Sequence, residues 1–188
     1  MSRKGGEIMA LYDKGLNHLK SKINQSIGNF QCYAVAAEYS GILCGPDLGA
    51  GTYFDQLDPI DDDLIYSASE IGNAFKWSEF GWEVINNPAY EELKIGSILC
   101  FERSVQLSEN FTTHEYYGHC GVILSLENGM IQTYEQKGEL GEFVAVYDRE
   151  YLGSDTITSV IIPYDFTGEP TDFVHGQASM GDETGDED

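Results

Sequence analysis

Basic residues are scarce in this chain. Lysine and arginine number 10 of 188 residues, against 32 aspartates and glutamates, for a formal net charge of −22. A field of that sign repels nucleic-acid phosphates, which argues against direct nucleic-acid binding, and it disfavours docking on anionic surfaces. Long apolar runs are missing too. No stretch approaches the length that spans a bilayer. The basic start Met1-Ser2-Arg3-Lys4 leads into no apolar signal core, because Asp13, Lys14, Asn17, Lys20 and Lys22 interrupt residues 8–22. The reading is a chain without a membrane span or secretory signal. Cysteine is limited to Cys32, Cys44, Cys100 and Cys120, at spacings unlike a zinc ligand set. Free thiols are the default in a reducing compartment. Cys44, Cys100 and Cys120 lie beside apolar residues, as buried inert thiols do.

What is present argues for a folded protein. Hydrophobic residues make up 41% and tyrosine occurs 12 times, which separates the chain from disordered sequences. The length suits one domain with a sizeable core. Charge is unevenly placed: residues 1–22 hold five of the 10 bases and two of the 32 acids. The acidic excess has two readings, solubility or a mimic of nucleic acid that occupies a basic partner.

Residues 8–22 read as an amphipathic helix with Ile8, Leu11, Leu16 and Leu19 on one face, weakened by Gly15. Asn29 is the expected N-cap of an apolar helix from about Gln31 to Ile42. Gly41, Gly45-Pro46 and Gly49-Ala50-Gly51 end that helix and start a long loop. Asp55 to Asp63 is an acidic loop. Ser67 to Phe75 reads as a short helix with a Ser67–Glu70 capping box. Trp77 to Ile85 is aromatic-rich and leads into an extended segment, and Pro88 to Leu93 fits one helical turn. Strands follow at 96–101, 119–126, 130–136, 143–147 and 156–163, with Glu127-Asn128-Gly129 as a hairpin turn. Helices first and strands afterwards predict an α+β fold, with N-terminal helices packed on a twisted antiparallel β-sheet. The expected organisation is a helical segment at 1–27, a main domain at 28–165 and an acidic, disordered tail or linker stub at 166–188.

Chemistry-bearing residues then stand out. Cys32 opens the second helix, where the positive end of the helix dipole favours a thiolate; a core cysteine on an apolar helix face is the competing reading. His119 begins a strand in Tyr117-Gly118-His119-Cys120-Gly121-Val122-Ile123, where an imidazole could exchange a proton with a thiol and a leaving amine. For a lone histidine a structural role competes. Glu135 shares a strand face with Ile131 and Thr133 and could hold the histidine tautomer; an ordinary exposed strand glutamate is the alternative. Gln31 could donate an amide hydrogen to an oxyanion beside the Cys32 N–H, or simply face solvent. Gly118 and Gly121 permit close approach of a chain or substrate.

These segments together resemble the CHAP family, the cysteine, histidine-dependent amidohydrolases/peptidases. The resemblance rests on Gln31-Cys32-Tyr33-Ala34-Val35-Ala36-Ala37-Glu38-Tyr39-Ser40-Gly41, on Leu93 to Phe101, on Tyr117 to Ile123 and on Asn128 to Gln136. Gly49-Ala50-Gly51, Trp77-Ser78, Gly81-Trp82 and Tyr147 to Tyr151 resemble segments of CHAP endolysins from phages of streptococci and related Gram-positive bacteria. The resemblance covers roughly residues 28–164. It implies a papain-like fold and cleavage of an amide bond in peptidoglycan, either the N-acetylmuramoyl-L-alanine bond or a stem or cross-bridge peptide bond. It implies Cys32 as nucleophile, His119 as base and Glu135 as the group orienting the histidine. Gln31, Gly118 and Trp82 are assigned to oxyanion or substrate binding.

Departures from the family pattern are specific. Lys137 stands where an asparagine is frequent, and Ser97 where an acid is common. Asn24, Gln25, Ser26 and Asn29 replace the aspartates that bind calcium in some members, so no metal or other cofactor is expected. Asp61-Asp62-Asp63 reads as a solvated loop rather than a calcium site. The expected partner is bacterial peptidoglycan, with a wall-binding domain or subunit supplied separately. The expected location is the host cytoplasm, with action on the wall after holin-type release, or the virion.

Overall fold

The computed structural model describes residues 11–49 and 67–164. The start of the first expected helix, the acidic loop with Asp61 to Asp63 and the tail at 166–188 lie outside the described residues. Helix α1 spans Leu11–Ser21 and packs on α2, Cys32–Ile42. Gly15 is required by that packing, because a Cβ there would lie 2.4 Å from the Tyr39 ring. Eight consecutive residues of α2, Tyr33 to Ser40, are buried. A helix so covered needs no polar stripe, which explains a sequence that is apolar apart from Glu38 and Ser40. The Tyr39 hydroxyl donates to the Gly96 carbonyl at 2.6 Å, tying α2 to the approach of the sheet.

Two expected caps form differently. The N-cap of α2 is Gln31 rather than Asn29. Asn29 Oδ1 instead accepts the Gln31 backbone N–H at 3.2 Å, an Asx turn one step before the helix. The expected Ser67–Glu70 box is absent: Ser67 makes no side-chain cap bond to the short 3₁₀ turn Ala68–Glu70. Arg103 takes both groups, donating to Ser67 Oγ at 2.9 Å and to Glu70 Oε1 at 3.0 Å. A charged donor outcompetes a local amide for the carboxylate. The turn runs directly into the one-turn helix α3, Ile71–Ala74.

Eight strands follow: β1 Glu83–Asn86, β2 Ile98–Phe101, β3 Gln106–Ser108, β4 Phe111–Thr112, β5 His119–Glu127, β6 Met130–Glu135, β7 Ala145–Glu150 and β8 Ile157–Ile162. Six form an antiparallel sheet in the order β1-β8-β2-β5-β6-β7, and β3 pairs with β4. Asn128 (φ 49°) and Gly129 (φ 79°) turn β5 into β6 with the left-handed backbone that tight hairpins need. Strand β7 begins two residues later than the sequence suggests. Val144 is diverted to hold the segment after α1: its N–H donates to Gln25 O and its carbonyl accepts from Asn24, both at 2.9 Å.

The sheet is covered on both faces. Ile98, Cys100, Cys120 and Val122 join the cluster built on α2, while Leu99, Phe101, Ile123 and Ile131 form a second cluster with Leu93 and Leu107. This is strand alternation at work. The architecture is α+β, with helices on one antiparallel sheet.

Candidate active site

Three elements meet at one cavity of about 510 Å³, lined by Gln31 and Cys32 from the start of α2, Phe111 from β4, Gly118 and His119 from the start of β5, and Lys137 after β6. That volume suits a small ligand or a segment of a larger one. The N–H of Cys32, in the first turn of α2, is among the donors that have no partner within a helix.

His119 is buried, and its Nε2 bonds the fully buried Glu135 Oε1. Nδ1 is therefore the ring nitrogen left for the thiol side. Aromatic rings fix the imidazole plane: Phe101 stacks on it at 6.0 Å and Phe111 meets it edge-on at 4.8 Å. Gly121 leaves the room that Glu135 occupies, since a Cβ at 121 would lie 2.7 Å from Glu135 Cγ.

Electrostatics favour charge separation between the thiol and the imidazole. The Cys32 thiol is held well below its usual range, by the Cys120 thiol most of all and by His119, against the opposing effect of burial. Burial alone would lower the His119 pKa, but Glu135 and Cys32 outweigh it and push it up to about 10. Burial raises the Glu135 carboxyl, yet His119 and Arg149 bring it down to about 2. Two other thiols shift the opposite way: burial pushes Cys100 up to about 12, and Cys32 pushes Cys120 up. Ionisation falls on Cys32 because the Cys120 thiol and the imidazolium both favour the thiolate there, at the positive end of the helix dipole.

Several contributing residues escape the sequence reading. Arg149 is fully buried and grips Glu135 with two bonds, Nε to Oε2 at 2.9 Å and Nη2 to Oε1 at 2.7 Å. It also bonds Glu139 at 2.8 and 2.9 Å, and its guanidinium lies 5.1 Å from the Phe111 ring centre. Thr133 donates a further bond to Glu135. Charge thus alternates along a line from the half-buried Cys32 through the buried His119, Glu135 and Arg149 to the exposed Glu139, which limits the cost of burying the middle groups. Strand alternation carried the signal: Ala145, Tyr147 and Arg149 share one buried face of β7. Cys120, expected to be inert, donates its thiol to the Cys32 carbonyl at 3.4 Å.

Two expected site residues behave otherwise. Trp82 does not reach the cavity; only 3% exposed, it packs against Tyr39 and Trp77 in the core. Gly118 lines the cavity, but its N–H already donates to His114 O at 2.9 Å. Its left-handed backbone (φ 65°) and bare Cα instead admit Phe101 O, which a Cβ would meet at 2.7 Å. Gln31 lines the cavity as expected, with Oε1 2.7 Å from Lys137 Nζ.

No known protein-family model matches the chain. Over 126 residues it is 28% identical to the large catalytic subunit of endolysin PlyC from Streptococcus phage C1. That match takes in 64% of this chain and 26% of the subunit, so the chain spans about a quarter of its relative's length. Among solved structures, the crystal structure of PlyC superposes with a TM-score of 0.67 at 25% identity, over 80% of this chain and 35% of that one. The structure of Ly7917 gives a TM-score of 0.62 at 20% identity, over 81% of this chain and 62% of that one. In sequence and in fold the chain is thus similar to the catalytic subunit of a phage endolysin, in keeping with the resemblance its motifs carry.

Proposed function

We propose that this chain hydrolyses peptidoglycan by cleaving an amide bond with Cys32 as the nucleophile, His119 as the proton carrier and Glu135 as its orienting carboxylate. The observation that carries the reading is a thiol on a helix N-terminus and an imidazole that line one cavity, with a buried carboxylate bonded to the imidazole from behind. The Cys32 thiolate attacks the amide carbonyl carbon, and the carbonyl electrons move to oxygen. The Cys32 N–H and the Gln31 amide donate to that oxyanion. When the oxyanion collapses, the C–N bond breaks and the leaving nitrogen takes a proton from the His119 imidazolium. Neutral His119 then removes a proton from water, and the hydroxide attacks the thioester. Collapse expels the Cys32 thiolate, releases the carboxylic acid and leaves His119 protonated again. No cofactor enters these steps.

The sequence similarity to a phage endolysin subunit favours a cell-wall substrate. A wall-binding domain or subunit outside this chain fits a match limited to 26% of that relative. Among the described residues no helix is long and apolar enough to cross a membrane, and release to the wall would depend on another factor. An acidic nucleic-acid mimic gives no reason for a thiol and a carboxylate-bound imidazole to line a cavity.

Cys32→Ala is expected to abolish release of soluble fragments from purified Gram-positive peptidoglycan and to leave the urea-unfolding midpoint unchanged. Iodoacetamide should do the same to the wild type. Lysis that persists in Cys32→Ala overturns the assignment. Mass spectrometry of the fragments separates the two bond types: amidase action frees the lactyl carboxyl of muramic acid, whereas endopeptidase action leaves it amidated.

A further inference from the structure

The segment that follows Glu135 reaches across the cavity to Gln31. Gln136 is fully buried, and its side chain clamps the backbone before α2. Its Oε1 accepts Ile27 N–H at 2.8 Å, and its Nε2 donates to Ile27 O at 3.0 Å and Gln31 O at 2.9 Å. Lys137 adopts a left-handed backbone (φ 59°), and its N–H is fixed on Gly141 O at 2.9 Å. From that position Nζ lies 2.7 Å from Gln31 Oε1. Its carboxylate contact, Glu142, is 3.8 Å away and exposed, which makes it weak.

We infer that Lys137 is a positioning residue that sets the orientation of the Gln31 amide. An ammonium has three donors and no acceptor, so only the amide oxygen can face it. The Gln31 Nε2 hydrogens are then turned away from Lys137 and left for the cavity. Among the described residues Nε2 has no other partner. An unrestrained glutamine amide rotates between two nearly equivalent states, one of which presents an oxygen and would repel an oxyanion. Lys137 removes that state before substrate arrives, which is preorganisation of a donor. Three consecutive residues thereby serve one site: Glu135 holds the imidazole, Gln136 the Gln31 backbone and Lys137 the Gln31 side chain. The inference rests on the proposed role of Gln31 as an oxyanion donor.

A double-mutant cycle on the full chain tests it, with initial rates of fragment release from saturating purified peptidoglycan. Gln31→Ala should lower the rate by roughly tenfold or more, as loss of an oxyanion donor does. Lys137→Met should lower it by a smaller factor. Lys137→Glu should lower it further, because a carboxylate accepts from Nε2 and turns the oxygen to the cavity. Lys137→Arg should stay near wild type. In the Gln31→Ala background none of the three should cause further loss, and unfolding midpoints should be unchanged throughout. Equal losses with and without Gln31, or no loss from Lys137→Glu in the wild type, overturn the role of Lys137 alone. A wild-type rate in Gln31→Ala overturns the oxyanion role together with that of Lys137. A wild-type chain that releases no fragments overturns the hydrolase reading itself.

Discussion

In the proposed reaction the protonation of Cys32 and His119 sets the working pH range. Its reactive form is thiolate with imidazolium. It appears as Cys32 ionises and disappears when His119 loses its proton near pH 10. The rate of Cys32 alkylation by iodoacetamide should therefore be high already at neutral pH, and fragment release should fall on an alkaline limb near pH 10. Glu135→Gln removes the charge that raises the imidazole pKa, so that limb should move down towards the ordinary histidine value of 6.5. An unmoved limb would show that Glu135 does not govern His119. Stability follows the same signs. The His119 contribution is complete below pH 6.5 and is lost as pH rises through about 10. The Glu135 contribution is present above pH 4.5 and is lost as pH falls through about 2.

Between elements, the decisive contact joins β7 to β6. Arg149 supplies four hydrogen bonds to Glu135 and Glu139 from a fully buried position. Arg149→Met fits the volume but leaves a buried carboxylate without its cation. That change should destabilise the fold by about 3 kcal/mol, measured by urea unfolding, and lower the rate with it. Gly121→Ala acts on β5 and β6 together, because its methyl would meet Glu135 Cγ and the Tyr134 carbonyl at 2.7 and 2.8 Å. Overpacking of that kind costs on the order of 1–3 kcal/mol. It should also displace the carboxylate, so turnover should fall more than stability alone explains. Assaying at a temperature where the variant is fully folded checks this. The helix and hairpin elements were legible because their signals are local: Asn128-Gly129 demands left-handed backbone whatever surrounds it. The caps at Asn29 and Ser67 were not: Asn29 turned its bond to the Gln31 N–H one step before the helix, and the distant Arg103 took Ser67 and Glu70.

At the scale of the whole molecule, the net charge of −22 opposes encounter with the proposed substrate, a bacterial wall that is itself anionic. Repulsion between like charges slows encounter, and salt screens it. The Debye length shrinks from about 30 Å at 0.01 M to about 8 Å at 0.15 M salt. Fragment release at limiting wall concentration should therefore rise across that range. A rate that falls with salt would point to an attractive patch on the wall instead. The acidic surface also explains why a wall-binding partner would help: it would supply the residence time that electrostatics denies this chain.

Sequence alone determined the candidate residue types and the elements that carry them. A cysteine at the start of an apolar helix, a histidine at the start of a strand and a glutamate on the returning strand are all local statements, fixed by periodicity and turn chemistry. Tertiary structure decided what these residues touch. Trp82 and Gly118 read as binding residues, yet one is core and the other already spends its N–H. Arg149 became a partner of Glu135, and Lys137 a partner of Gln31 across a separation of 106 residues. The reason is physical: burial and ion pairing depend on distances through space, which only the packed sheet and helices define.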